Sequence, residues 1–272
     1  NAIFSNSIKT DLAIYGSSRA WVDISPKILE DSLKISAYNF GIDGHNFWLQ
    51  YYRHQAYLKN NPKPKHIILA VDFNSLQKRE ELYLSEQFLP YMLWNKDLYT
   101  YTKSYTGFNN VAYYIPLIRY IGKTAVLEKS FNNLNKKPTP YRSNGYKGVE
   151  KNWSNALAKA KLKLDNYTIE YDKPTIALFE KFLTECSKKN IAVTMVYTPE
   201  HIEGQEFIKD RQKLINTFQW YSKKFNIPFL DYSKDSICYQ KKYFYNAMHL
   251  NKKGSEKFTK ILASDLKNRS TP

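Results

Sequence analysis

Short apolar runs separated by amphipathic stretches set the rhythm of this chain. The runs at 11–15, 35–40, 66–71, 191–197 and 227–230 are apolar almost throughout, with Leu12-Ala13-Ile14-Tyr15 the clearest. A continuous run suits a strand covered on both faces, whereas a half-exposed strand alternates. Between the runs, residues 26–33, 47–59, 174–188, 205–224 and 252–267 carry a helical pattern. In the last of these, Phe258, Ile261, Leu262 and Leu266 recur at helical spacing. Ser25 before Pro26 reads as an N-cap and a first turn, and the stretch from Phe47 stops before Pro62.

Alternating strands and helices predict an α/β fold: a flavodoxin-like three-layer α/β/α sandwich around a five-stranded parallel sheet. One segment, 76–172, breaks the rhythm. It is rich in tyrosine and tryptophan (Tyr91, Trp94, Tyr99, Tyr101 and Trp153 among them), and its middle, 132–149, is polar with Pro138, Pro140, Gly145 and Gly148. Roughly ninety residues is far beyond an ordinary crossover. The expected organisation is a single domain over 1–272 containing a mostly helical, aromatic-rich insertion over 76–172, packed beside or over the carboxyl edge of the sheet. Most of its aromatics read as a small core of its own.

Composition narrows the class. At 43% hydrophobic and 24% charged residues the chain is globular rather than disordered. No stretch of about 18 apolar residues is present, so no transmembrane segment is expected. The net charge of +16 suits attraction to an anionic envelope or polymer. The lysines are scattered, and no zinc-finger spacing, RNP-like motif or arginine-rich run accompanies them, so a specific nucleic-acid partner is not expected. The chain begins at Asn1 without a methionine or a signal-peptide pattern. It reads as a trimmed form whose leader or anchor has been removed. Cys186 in a helical pattern and Cys238 in a polar loop read as two free thiols. The histidines show no ligand spacing, so no metal and no cofactor are expected.

Open α/β sheets gather function at the carboxyl ends of their strands. Those ends read Gly16-Ser17-Ser18-Arg19, then Asn39-Phe40-Gly41-Ile42-Asp43-Gly44-His45, then Asp72-Phe73-Asn74-Ser75, then Thr198-Pro199-Glu200-His201, with Asp231 after the fifth. Near the far end of the chain, Asn246-Ala247-Met248-His249-Leu250-Asn251 places a histidine on a loop before the closing helix. A serine hydroxyl needs a base within hydrogen-bond reach to become a nucleophile, and a tetrahedral oxyanion needs fixed donors.

Taken in order, these blocks resemble the SGNH or GDSL-like hydrolase superfamily, and look closest to its branch of envelope-anchored acyl-transfer proteins such as the D-alanyl transfer protein. The resemblance spans nearly the whole chain. It puts the nucleophile at Ser18, where Gly16-Ser17-Ser18 stands for Gly-Asp-Ser, and the base at His249. It puts the oxyanion hole at the Ser18 and Gly44 backbone N–H groups and the Asn74 amide. Asp72 stands where the family's Gly-x-Asn has glycine, and reads as an anchor for neighbouring loops. Arg19 suits a substrate anion or a structural ion pair to Asp43 or Asp72. His45 and His201 are candidates for substrate contact, while His54 and His66 read as structural.

The family's aspartate three residues before the histidine is Asn246 here. That leaves three readings open: a Ser18–His249 dyad, another carboxylate (Asp231, Asp235 or Asp43) in its place, or a site that has kept binding and lost catalysis. The function implied is a serine esterase or O-acyltransferase acting on an acylated glycan or similar envelope polymer. A membrane-anchored acyltransferase is a possible partner, and the location is extracytoplasmic or periplasmic, with the full-length protein membrane-anchored. The alternative is a catalytically lapsed glycan-binding or accessory protein on the same fold.

Overall fold

Residues Leu12–Tyr15 form β1, and all four side chains are buried. In this computed structural model the described residues are 2–4, 6–44, 47–83, 95–106 and 142–270, with positions 111, 114, 115, 118–122, 124 and 128. The other strands of its sheet are β2 (Ala37–Asn39), β3 (His66–Ala70), β4 (Ala192–Tyr197) and β5 (Phe229–Asp231). They run parallel in the order β2-β1-β3-β4-β5. Leu12 pairs with Ala37 on one side and His66 on the other, His66 with Ala192, and Met195 with Phe229. This is the flavodoxin-like doubly wound order, and its direction of winding reverses at β1 and β3, where such sheets open a crevice.

Among the described residues, the α-helices are α1 (Ser18–Asp23), α2 (Pro26–Leu33), α3 (Phe47–Asn60), α4 (Lys96–Thr102), α5 (Ala156–Lys161), α6 (Lys173–Lys188), α7 (Ile202–Phe207), α8 (Arg211–Phe225) and α9 (Lys252–Ser270). Adjacent β1 residues face opposite layers, as strand geometry requires. Leu12 and Ile14 join a mainly aliphatic core with Leu29 of α2 and Leu262 of α9, to which Phe258 of α9 adds its ring. Tyr15 meets an aromatic layer, its ring 5.6 Å from His54 of α3. There His54 lies 4.9 Å from Phe182 of α6, and Phe47 lies 4.9 Å from Phe179. Each fully buried phenylalanine contributes about 2 kcal/mol of transfer free energy.

Local chemistry sets the element ends. Ser25 occupies the N-cap of α2 without a side-chain cap bond. Its N–H instead donates to Thr259 Oγ1 at 3.0 Å, fastening α2 to α9. Asp172 caps α6 by accepting the Thr175 N–H at 2.9 Å, and its own N–H donates to the Leu76 carbonyl at 3.0 Å.

Two expectations change. The helix expected over 205–224 is two helices, α7 and α8. Tyr167 N–H donates to the Phe207 carbonyl and Lys209 N–H to the Tyr167 carbonyl, and Asp210 adopts φ +54°. Non-local bonds therefore override an otherwise continuous periodic pattern. Cys238, expected in a polar loop, is fully buried, as is Cys186; both are free thiols.

The chain divides into two compact units, residues 1–78 with 142–272, and residues 79–141. In the second, Asn95 caps α4 through the Leu98 N–H, and Thr102 Oγ1 donates back to the Leu98 carbonyl at 2.7 Å. A parallel bridge pairs Glu81 with Thr106, and Leu98, Thr102 and Tyr105 are buried. Among the described residues, no helix is long and apolar enough to cross a membrane.

Candidate active site

Gly16 ends β1 at φ +145°. A Cβ there would sit 2.8 Å from both the Ala20 Cβ and the Ala70 carbonyl oxygen, so the sharp passage from strand to helix requires glycine. Ser17 is the N-cap of α1, its Oγ accepting the Arg19 N–H at 3.3 Å and donating to Asp72 Oδ2. Ser18 is thereby the first residue of a helix at the carboxyl edge of the sheet, half-buried.

Two further loops are tied to this turn. Ile42 N–H donates to the Gly16 carbonyl at 3.3 Å. The Asn39 amide donates to the Ala20 and Ile24 carbonyls at 2.7 and 2.8 Å while its oxygen accepts the Gly41 N–H at 2.8 Å. Gly44, at φ +67°, lies two residues beyond Ile42 and is half-buried. From β3, Asp72 accepts the Asn74 N–H at 2.7 Å as well as the Ser17 hydroxyl. One buried carboxylate thus fixes the serine turn and the Asn74 loop together.

The histidine lies on a hairpin rather than the expected loop. β6 (Phe244–Asn246) pairs antiparallel with β7 (His249–Leu250). His249 Nε2 lies 2.7 Å from Ser18 Oγ, and its Nδ1 lies 3.0 Å from Asn246 Oδ1. The same Oδ1 accepts the Met248 N–H at 2.9 Å and the His249 N–H at 3.0 Å. Two backbone donors can be met only by the amide's oxygen, so the side chain cannot present its NH₂ group to the ring. Nδ1 must then carry the proton, and the Nε2 lone pair faces Ser18. Burial and the Arg19 guanidinium push the imidazole down to about 3, so it is neutral at pH 7. Asp231 and Asp235 cap their own turns through the Ser233 and Ile237 N–H groups, at 2.9 and 2.8 Å. Asp43 is half-buried on the loop before Gly44.

Three residues not singled out by their sequence context support this arrangement. Asp23, the last residue of α1, is 0% exposed; it accepts the Leu250 N–H at 3.0 Å and the Thr198 hydroxyl at 2.8 Å. Burial pushes its carboxyl up to about 7 against the opposing Arg19 charge. Thr198 in turn accepts Arg19 Nε at 3.0 Å. Tyr245 stacks on the His249 ring, centroids 5.4 Å apart and planes 11° apart.

Arg19 faces the protein interior at 2% exposure. Its guanidinium donates to the Thr198 carbonyl, lies 4.5 Å over the Tyr197 ring, and has Nη1 3.8 Å from Glu200. Its ion-pair partner is therefore Glu200, not Asp43 or Asp72. His201 is also buried: it is the N-cap of α7, with Nδ1 accepting the Glu203 N–H at 3.3 Å and its ring 4.6 Å from that of Trp153. Its N–H donates to the Ala247 carbonyl at 3.0 Å, bracing the hairpin. His45 lies outside the described residues. His54 is buried with Nδ1 3.2 Å from the Tyr15 hydroxyl, and His66 Nε2 lies 2.9 Å from Thr194 Oγ1. Among the described residues, no group of three or more His, Cys, Asp or Glu side chains could hold a metal ion.

No known family's sequence profile and no curated protein matches the chain. Solved structures similar to it include a lipolytic protein of the G-D-S-L family from Desulfitobacterium hafniense, at 12% identity and TM-score 0.49, covering 94% of this chain and 99% of that one. An acylhydrolase from Bacteroides fragilis aligns at 11% identity and TM-score 0.44 over 94% and 86%. A GDSL-like lipase from Bacteroides thetaiotaomicron aligns at 12% and 0.44 over 94% and 88%. At these identities and scores, the functional reading of the site rests on its own geometry.

Proposed function

We propose that this chain is a serine esterase or O-acyltransferase, with Ser18 as nucleophile and His249 as base. The observation that carries the reading is the chain of hydrogen bonds Ser18 Oγ–His249 Nε2 and His249 Nδ1–Asn246 Oδ1, with Oδ1 locked by two backbone amides. Ser18 Oγ attacks the acyl carbon as its proton passes to Nε2. The resulting oxyanion is met by the Ser18 and Gly44 N–H groups and the Asn74 amide. The imidazolium then protonates the departing oxygen, leaving an acyl-serine. Water, or an acceptor hydroxyl in the transfer reaction, attacks that acyl group while Nε2 takes its proton; the acyl–Oγ bond then breaks and Nε2 returns the proton to Ser18 Oγ.

Asn246 supplies orientation but no charge. In chymotrypsin-type enzymes, replacing the triad aspartate by asparagine lowers turnover by about 10⁴, roughly 5 kcal/mol. Part of that loss arises from the wrong tautomer, which the locked oxygen prevents here. The charge of +16 and the tyrosine- and tryptophan-rich segment suit an anionic, glycan-bearing envelope polymer as acyl carrier; a membrane-anchored acyltransferase as partner rests on the family resemblance alone.

Intact-mass labelling with a fluorophosphonate tests the assignment. A single adduct on the wild type, absent from Ser18→Ala, is the expected outcome. No adduct, under conditions that label an ordinary serine esterase, would overturn the enzymatic reading in favour of a lapsed glycan-binding protein.

A further inference from the structure

The imidazolium formed during acyl transfer has unfavourable surroundings. Ser18 meets it from α1, and the charge of the buried Arg19 guanidinium opposes it. Asn246 faces it from β6 with a neutral oxygen. Asp23 accepts the Leu250 N–H of the hairpin, and the charges of Asp23 and Asp43 bear on Tyr245. Against this stands Tyr245, whose orientation suits a cation. Tyr245 lies nearly parallel to the His249 ring at stacking distance, and an aromatic face carries negative quadrupole charge that attracts a cation.

We propose that Tyr245 is a positioning residue that stabilises the imidazolium form of His249 through its ring face, supplying part of what the missing aspartate would give. The inference rests on the reading of His249 as the base. The phenol itself stays neutral: burial, with Asp23 and Asp43 nearby, pushes its ionisation above the ordinary tyrosine value. The ring and not the hydroxyl is therefore the active part, and phenylalanine replaces it. The backbone of Tyr245 has a second duty that either substitution leaves intact, its carbonyl accepting the Ser154 N–H at 2.9 Å.

The test compares Tyr245→Phe with Tyr245→Leu. With a small activated acetyl ester, Tyr245→Phe should keep kcat/KM within about two-fold, and Tyr245→Leu should lose about ten-fold. The deciding readout is the His249 titration, followed by ¹⁵N NMR in the Asn246→Asp background, where a carboxylate lifts the imidazole into an accessible pH range. The titration should move down by about one pH unit in Tyr245→Leu and stay put in Tyr245→Phe. An unmoved titration in Tyr245→Leu would overturn the inference even if turnover falls, because lost packing alone lowers rate without changing basicity. Equal displacement in both variants would overturn it too, by assigning the effect to the hydroxyl. If the wild type turns over no ester, the functional reading fails separately, and the titration still decides this one.

Discussion

Asn246 concentrates three donors on one oxygen: the Met248 N–H, the His249 N–H and the His249 ring. An aspartate could accept the same three bonds without moving the hairpin, and would add the negative charge that the imidazolium lacks. Asn246→Asp is therefore expected to raise the rates of fluorophosphonate labelling and ester turnover at least ten-fold. It should also move the acid limb of kcat/KM upward. The limb falls where His249 takes a proton; burial and Arg19 now hold that proton off until about pH 3. A facing carboxylate favours the charged ring and returns the limb toward pH 6.5. A pH–rate profile of both proteins reads the shift directly, and coincident profiles would show that the site does not depend on charge at this position.

The short helix α1 joins the two halves of the site. Ser18 stands at its first position and Asp23 at its last, and Asp23 holds the Leu250 N–H of the strand that carries His249. Asp23→Ala leaves that N–H and the Thr198 hydroxyl without their acceptor in a dry interior, so a loss of about 3 kcal/mol is expected in urea unfolding. Asp23→Asn retains one oxygen acceptor and should lose less. The same alanine variant should lower the fluorophosphonate labelling rate at temperatures where it remains folded. A normal rate would show that the hairpin keeps its place without Asp23. Sequence made some of these elements plain and hid others for physical reasons. The sheet strands announce themselves because a strand buried on both faces must be apolar throughout, as residues 12–15 are. Six-residue α1 is too short to show a helical period, and β6 and β7 too short to alternate. Gly16, Gly44 and Asn74 stand at strand ends, where local sequence marks a turn. Asp23 and Tyr245 carry no such mark. Asp23 draws its importance from a bond to a residue 227 positions away, and Tyr245 from a stacking geometry that only the folded hairpin creates. The break between α7 and α8 likewise depends on Tyr167, in a distant segment.

At the scale of the whole molecule, ionisable groups sit on both sides of the sheet, and their titrations pull stability in opposite directions. His54 is buried in the aromatic layer, where loss of hydration pushes it down to about 3. The unfolded chain binds its proton at about pH 6.5. The stability His54 contributes is therefore fully present above that value and is lost as pH falls toward 3. Half-buried His249 acts with the same sign, but solvent weakens its share. Asp23 acts oppositely. Its folded value of about 7 lies above the 3.8 of the unfolded chain. Its contribution is thus complete at low pH and lost as pH rises through 7. Acid sensitivity should accordingly turn on His54 rather than on the site. Among the described residues, its buried Nε2 has no hydrogen-bond partner and its Nδ1 has only the Tyr15 hydroxyl. A phenylalanine in this aromatic layer removes the titration at the cost of that one hydrogen bond. Between pH 7 and pH 5, the unfolding free energy of His54→Phe should gain about 2 kcal/mol relative to wild type. Urea denaturation at the two pH values measures this difference of differences, in which Asp23 and His249 cancel. Parallel pH dependence in the two proteins would mean that His54 enters the folded state already able to take its proton.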